Sequence, residues 1–172
     1  MVLTWYDWYM LVGFALSYFV VVWIVIRLLV PHLGFNKSPL PEFLPQDFSA
    51  VIKQIDEESS DNFDFLQKVY EFVTSRYKGD RFKTVTNFWV AFEEPINHKR
   101  GFMPCTGQNY LTRLMLVKSG RFKDADIEIK VFPLNFFIHQ YLRVRVDGRW
   151  VDVDPWSSFL GLSLGQKISL IG

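Results

Sequence analysis

The pair Asp147-Gly148, inside "HQYLRVRVDGRWVDVDPW" (residues 139–156), limits what this chain can fold into more than any other feature. A type I′ turn needs φ > 0 at both central residues, so Asp-Gly between alternating apolar residues is a strong hairpin signal. With that turn, Val146 faces Arg149, Val144 faces Val151 and Leu142 faces Val153. Side chains alternate across a strand, so Leu142, Val144, Val146, Val151 and Val153 share one face, which belongs in a core. The other face carries His139, Tyr141, Arg143, Arg145, Trp150, Asp152, Asp154 and Trp156. There Asp154 lies opposite Tyr141 and diagonal to His139, and diagonal neighbours sit about 7–8 Å apart at the backbone, a gap long side chains bridge.

The remaining composition excludes more than it selects. The 172 residues are enough for one ordinary domain with an appendage. A net charge of +1 with no block of like charge gives no electrostatic case for nucleic acid as a partner. Cys105 is the single cysteine, so an intrachain disulfide and a Cys-rich zinc site are both excluded. Cys105, His98, His139 and the aspartates show no ligand spacing, and neither a metal nor a cofactor is expected.

A run of 19 uncharged residues, "WYMLVGFALSYFVVVWIVI", separates Asp7 from Arg27. As a helix it would be about 28 Å long, close to the roughly 30 Å hydrocarbon core of a bilayer. Trp5, Tyr6, Trp8 and Tyr9 at its start resemble an interfacial aromatic belt. No basic residue precedes it and no small-residue cleavage site follows, which favours a retained anchor over a signal peptide. The expectation is a transmembrane helix in residues 1–30, a Pro-rich tether in 31–46 and a domain in 47–172. The chain would then be a single-pass membrane protein with the lipid bilayer as a partner through its N-terminal helix. Arg27 and Lys37 after the span place the domain on the cytoplasmic side.

Within the domain, "PQDFSAVIKQI" suits a short helix with Asp47 as a cap. Phe65, Val69 and Phe72 recur at helical spacing after Asp61 and Asn62, and Gly79 is the expected stop. "TVTNFWVAF" reads as a strand and "EEPINHKRG", with His98, as a solvated loop. Leu111, Leu114 and Met115 mark a helix starting near Cys105 and closed by Gly120. "ADIEIKVF" alternates as a strand, and the tail from Ser157 carries no signal. Helices followed by strands predict an α+β fold with helices packed on an antiparallel sheet.

Cys105 follows Pro104 and opens that last helix. A helix N-terminus favours thiolate over thiol, and its N–H groups can hold an oxyanion. A cysteine nucleophile also needs a base, and the base needs a group to orient it. His139 and Asp154 supply both if the helix N-terminus packs against the polar face of the hairpin. A small buried structural cysteine is the competing reading. Asp152 opposes Arg143 and suits an ion pair better than a catalytic role.

The pattern resembles the transglutaminase-like superfamily, whose core is shared with papain-type cysteine hydrolases. The residues that carry the resemblance are His139, Tyr141, the Asp147-Gly148 turn, Trp150 and Asp154 in "VDVDPW", with Cys105 opening a helix that ends in "SG". It spans about residues 60 to 156. Tyr141 stands where the family usually has Trp, Arg143 where an acidic residue is common, and "TGQ" after Cys105 departs from the usual pattern. The resemblance implies Cys105 as nucleophile, His139 as general base and acid, and Asp154 as the group orienting His139. Trp89 or Gln108 would serve as a second oxyanion donor. It further implies cleavage or transfer of an amide or peptide acyl group through a Cys thioester, with a peptide or protein as substrate and hydrolysis ahead of cross-linking. The alternatives are a non-catalytic peptide- or protein-binding domain on the same fold, and a purely structural subunit.

Overall fold

A computed structural model describes residues 4–25, 36–134 and 137–168. The chain divides into two compact units, residues 1–38 and 39–172.

The described part of the first unit is one α-helix, α1 (Trp5–Val20), followed by a π-helical turn at Val21–Val25. Thr4 caps α1, accepting from the Asp7 N–H while the Asp7 carboxylate accepts from the Thr4 N–H at 2.8 Å. The expected transmembrane helix is corrected here. Among the described residues no helix is long and apolar enough to cross a membrane. The 16 α-helical residues reach only about 24 Å at 1.5 Å per residue before the geometry changes at Val21. Placement as a single-pass membrane protein, and the cytoplasmic assignment built on that span, are corrected with it. Arg27, His32 and the first residues of the tether lie outside the described residues.

The second unit is α+β with two small sheets. Its elements are α2 (Gln46–Glu57), α3 (Asn62–Arg76), β1 (Tyr77–Lys78), α4 (Arg81–Thr86), β2 (Gly101–Phe102), α5 (Cys105–Lys118), β3 (Ile127–Leu134), β4 (Phe137–Val146) and β5 (Arg149–Val153). Helix α2 begins after Pro45 with no side-chain cap, so Asp47 sits in the first turn and does not cap it. Asp61 caps α3 through the Asp64 N–H at 2.8 Å. That helix ends at Arg76, earlier than Gly79, because Tyr77 and Lys78 pair in parallel with Gly101 and Phe102.

Strands β3, β4 and β5 form an antiparallel sheet in that order. The turn is Asp147-Gly148, with φ of 50° and 82°, and the register pairs Val146 with Arg149 and Leu142 with Val153. Leu142, Val144, Val146 and Val153 are buried in one core with Leu111, Leu114 and Met115 of α5 and Phe65, Leu66 and Val69 of α3. Each such side chain, fully buried, contributes about 1.5–3 kcal/mol. The body of α5 therefore packs on the apolar face of the hairpin, and only its N-terminus reaches the polar residue His139. Its amide ladder closes with the Gly120 N–H bonded to Val117 O at 3.1 Å.

The stretch expected as a strand, "TVTNFWVAF", is instead helical: α4 followed by a 3₁₀ segment at Phe88–Phe92. Asp80 drives this by capping α4 through the Lys83 N–H at 2.9 Å, a local bond that the β-rich run cannot match without a neighbouring strand. His98 is not solvated either. Its ring is held between the Glu93 carboxylate and the Phe102 carbonyl, with Nε2 2.8 Å from the latter.

Candidate active site

Three chain segments meet at the end of the hairpin away from its turn. The first is the start of α5, where Cys105 is the first helical residue after Pro104. The second is β4, which carries His139. The third begins where β5 runs out: pairing stops at Val153, and Asp154 becomes the N-cap of a 3₁₀ helix, Pro155–Leu160. Proline at the first position suits that helix start, because its missing N–H would have had no acceptor there.

His139 Nε2 lies 2.8 Å from Asp154 Oδ2, and the two residues are 2% and 1% exposed. A carboxylate only accepts, so Nε2 carries the proton of this bond. Cys105 acts on the same ring through a side-chain hydrogen bond and through its charge, both of which favour the protonated imidazole. Cys105 itself is half-buried, against an apolar cluster of Leu134, Trp156 and Ile168. The imidazole is sandwiched by aromatic rings: Phe132 meets it edge-on at 5.3 Å, and Trp156 lies tilted at 5.0 Å.

Burial pulls the His139 pKa down, but its hydrogen bonds to Asp154 and with Cys105 and the charges of both outweigh it. The pKa stands raised from 6.5 to about 9. The site therefore keeps a proton on His139 at neutral pH, the form in which it stabilises a neighbouring thiolate.

Asp154 is held from two further directions. Its Oδ1 accepts from the Ser157 N–H at 3.3 Å, and its Oδ2 accepts from the Ile168 N–H at 3.4 Å. Tyr70 of α3 stands close enough for the carboxylate to matter: burial first and the Asp154 charge second push its phenol up to about 12. The Tyr70 hydroxyl donates to Leu162 O at 3.0 Å, so α3 fixes the tail that closes over the carboxylate.

The structure thus brings together Cys105, His139 and Asp154 and leaves the other candidates apart. Asp152 pairs with Arg143 at 3.2 Å and with Lys167 at 3.4 Å, although the Arg143 contact is misaligned for a hydrogen bond. Gln108 is fully buried and donates from Nε2 to Met103 O at 2.9 Å, so its amide is already engaged with the loop before Cys105. Trp89 stands 53% exposed on the 3₁₀ segment. Among the described residues no three His, Cys, Asp or Glu side chains gather as metal ligands would. The open groove of about 480 Å³ among Glu42, Phe43, Ile52, Lys53, Asp56 and Lys118 includes none of the three site residues.

Sequence reasoning missed the cover of the site. Phe132, Trp156 and Ile168 form it, and "DPW" carried the only local signal, an Asp-Pro turn that ends a strand. No protein family, curated protein or solved structure matches this chain.

Proposed function

We propose that this chain is a thiol acyl-transfer enzyme of transglutaminase-like type that acts on amide or peptide bonds. The observation that carries the reading is the imidazole of His139, bonded to a buried carboxylate on one side and to a thiol on the other. A structural cysteine needs neither partner.

In this mechanism the Cys105 thiolate attacks the carbonyl carbon of the amide. An α-helix leaves its first N–H groups without intrahelical acceptors, and the start of α5 offers them to the developing oxyanion. The C–N bond breaks, His139 gives its proton to the departing amine, and a thioester remains on Cys105. Neutral His139 then takes a proton from water, the hydroxide equivalent attacks the thioester, and the acid leaves as the thiolate–imidazolium pair is restored. Asp154 keeps Nε2 protonated and the ring in place throughout. An amine in place of water would give cross-linking. Among the described residues nothing suggests a separate amine-binding module, which favours hydrolysis, with a peptide or protein as substrate.

The test is the pH dependence of Cys105 alkylation by iodoacetamide in the full chain, beside His139→Ala. The wild-type midpoint should fall well below the ordinary thiol value of about 8.5 and return toward it in the variant. An unreactive thiol, or a midpoint indifferent to His139, would sink the enzyme reading and leave a peptide-binding domain with a structural cysteine.

A further inference from the structure

The hydrogen-bond ladder of the hairpin accounts for a side-chain bond one helical turn from the thiol. In a two-residue hairpin the closing pair exchanges both of its backbone bonds, so alternate residues Val146, Val144 and Leu142 turn their carbonyls toward β5. Gln140 is next in that series, but β5 has already ended at Val153. Its carbonyl accepts instead from Asn109 Nδ2 at 2.7 Å, and Gln140 Oε1 lies 3.4 Å from the same nitrogen. Asn109 is 1% exposed and Gln140 3%. A buried carbonyl left without a donor costs about 1–3 kcal/mol, so the bond is one the fold must keep.

Its location matters as much as its energy. Asn109 follows Cys105 by four residues, which places it on the same side of α5, one turn along. Gln140 is the chain neighbour of His139. The bond therefore joins the helix that carries the thiol to the strand that carries the imidazole. Helix α5 also begins without a side-chain cap, unlike α3 and α4, and its first turn is tied to the preceding loop through Gln108, whose N–H donates to Pro104 O at 3.1 Å and whose Nε2 donates to Met103 O at 2.9 Å. The first residue of that turn is Cys105, so whatever orients the turn orients the thiol.

We propose that Asn109 is a positioning residue for the thiol chemistry: its bond to the Gln140 carbonyl fixes the first turn of α5 against β4 and so keeps the Cys105 sulfur on the His139 ring. This rests on the reading of Cys105, His139 and Asp154 as a triad. Asn109 touches neither substrate nor reacting atoms, and its effect runs through the thiol–imidazole distance.

The experiment compares Asn109→Leu, which removes the donor at similar size, with Leu114→Ala, a core variant on the same helix. Both are read by melting temperature and by the pH midpoint of Cys105 alkylation in the full chain. In Asn109→Leu the midpoint should rise by about one unit, which slows alkylation about tenfold at pH values below it. Leu114→Ala should lose at least as much stability and keep the wild-type midpoint. If Asn109→Leu keeps that midpoint, or Leu114→Ala shifts it equally, the positioning role is overturned while the triad stands. A wild-type midpoint that ignores His139→Ala would overturn the triad itself, and the role of Asn109 with it. Should Asn109→Leu fail to fold, Asn109→Ala carries the same measurement with the same two outcomes.

Discussion

The polar face of the hairpin is continuous in sequence and divided in structure. At the turn end, Arg143, Arg145, Trp150 and Asp152 are partly or fully exposed; Arg145 reaches Asp126, and both arginines lie over the Trp150 ring at 5.6 and 5.9 Å. At the open end, two to four residues further along the same strand, His139 is 2% exposed and Tyr141 6%. Alternation is identical in the two halves. The difference lies in what covers them: Trp156 of the 3₁₀ helix packs on His139 and the Ile168 N–H reaches Asp154, whereas the tail meets the turn half at Asp152, through Lys167 at 3.4 Å and the Gly165 N–H at 2.9 Å. Charge pairs in the solvated half are worth little because water screens them, whereas the same chemistry under cover sets protonation states.

The largest effect should come from removing the buried carboxylate. Asp154→Ala strands the His139 ring beside apolar groups and should lower unfolding free energy in urea by about 3–5 kcal/mol. A loss under about 1 kcal/mol would mean that the covered half behaves like the solvated one.

Removing the cover by steric force should come next. Gly79 packs so closely that a Cβ there would stand 2.2 Å from the Trp156 carbonyl oxygen and 2.6 Å from the Phe159 ring. Gly79→Ala must push Pro155–Leu160 away, at a cost of about 1–3 kcal/mol. It should also raise the alkylation midpoint of Cys105, because Asp154 begins the displaced segment. Unchanged thermal and alkylation midpoints would show that the 3₁₀ helix is not what holds the carboxylate.

The pH dependence of stability gives a more selective readout. The folded pKa of His139 is raised above its unfolded value, so its stabilisation is complete below 6.5 and is lost as pH rises through about 9. The loss over that window should be on the order of 3 kcal/mol in the wild type and absent in His139→Gln, read from urea midpoints at a series of pH values. Parallel curves for the two proteins would contradict a retained proton on His139. At the other extreme, Arg145→Ala in the solvated half should leave both the urea midpoint and the alkylation profile unchanged. A measurable shift there would blur the division between the halves.

What could be read from the residues follows the range of the interactions involved. The hairpin register was legible because Asp147-Gly148 and the valine alternation are local, and the start of α5 because Pro104 and the Leu111–Met115 spacing are local too. The meeting of Cys105, His139 and Asp154 was legible from the same two pieces. The cover was not, since Trp156 over His139 and Ile168 against Asp154 depend on a tail with no periodicity. The helical turn of residues 81–92 was missed because a single cap at Asp80 outweighed a β-rich run. The N-terminal segment misled for a related reason: hydropathy counts residues, while the change to π geometry at Val21 is a property of the backbone.

The Ile168 N–H on Asp154 has a consequence in time. A chain grows from its N-terminus, so the thiol is made first, the imidazole 34 residues later and the carboxylate 15 residues after that. The last donor to the carboxylate arrives only when residue 168 has been added and Tyr70, made long before, has captured the passing Leu162 carbonyl. A nascent chain stalled short of that point holds every reactive group and lacks their seal. Synthesis itself thus delays the assembled site until almost the whole second unit can fold around it.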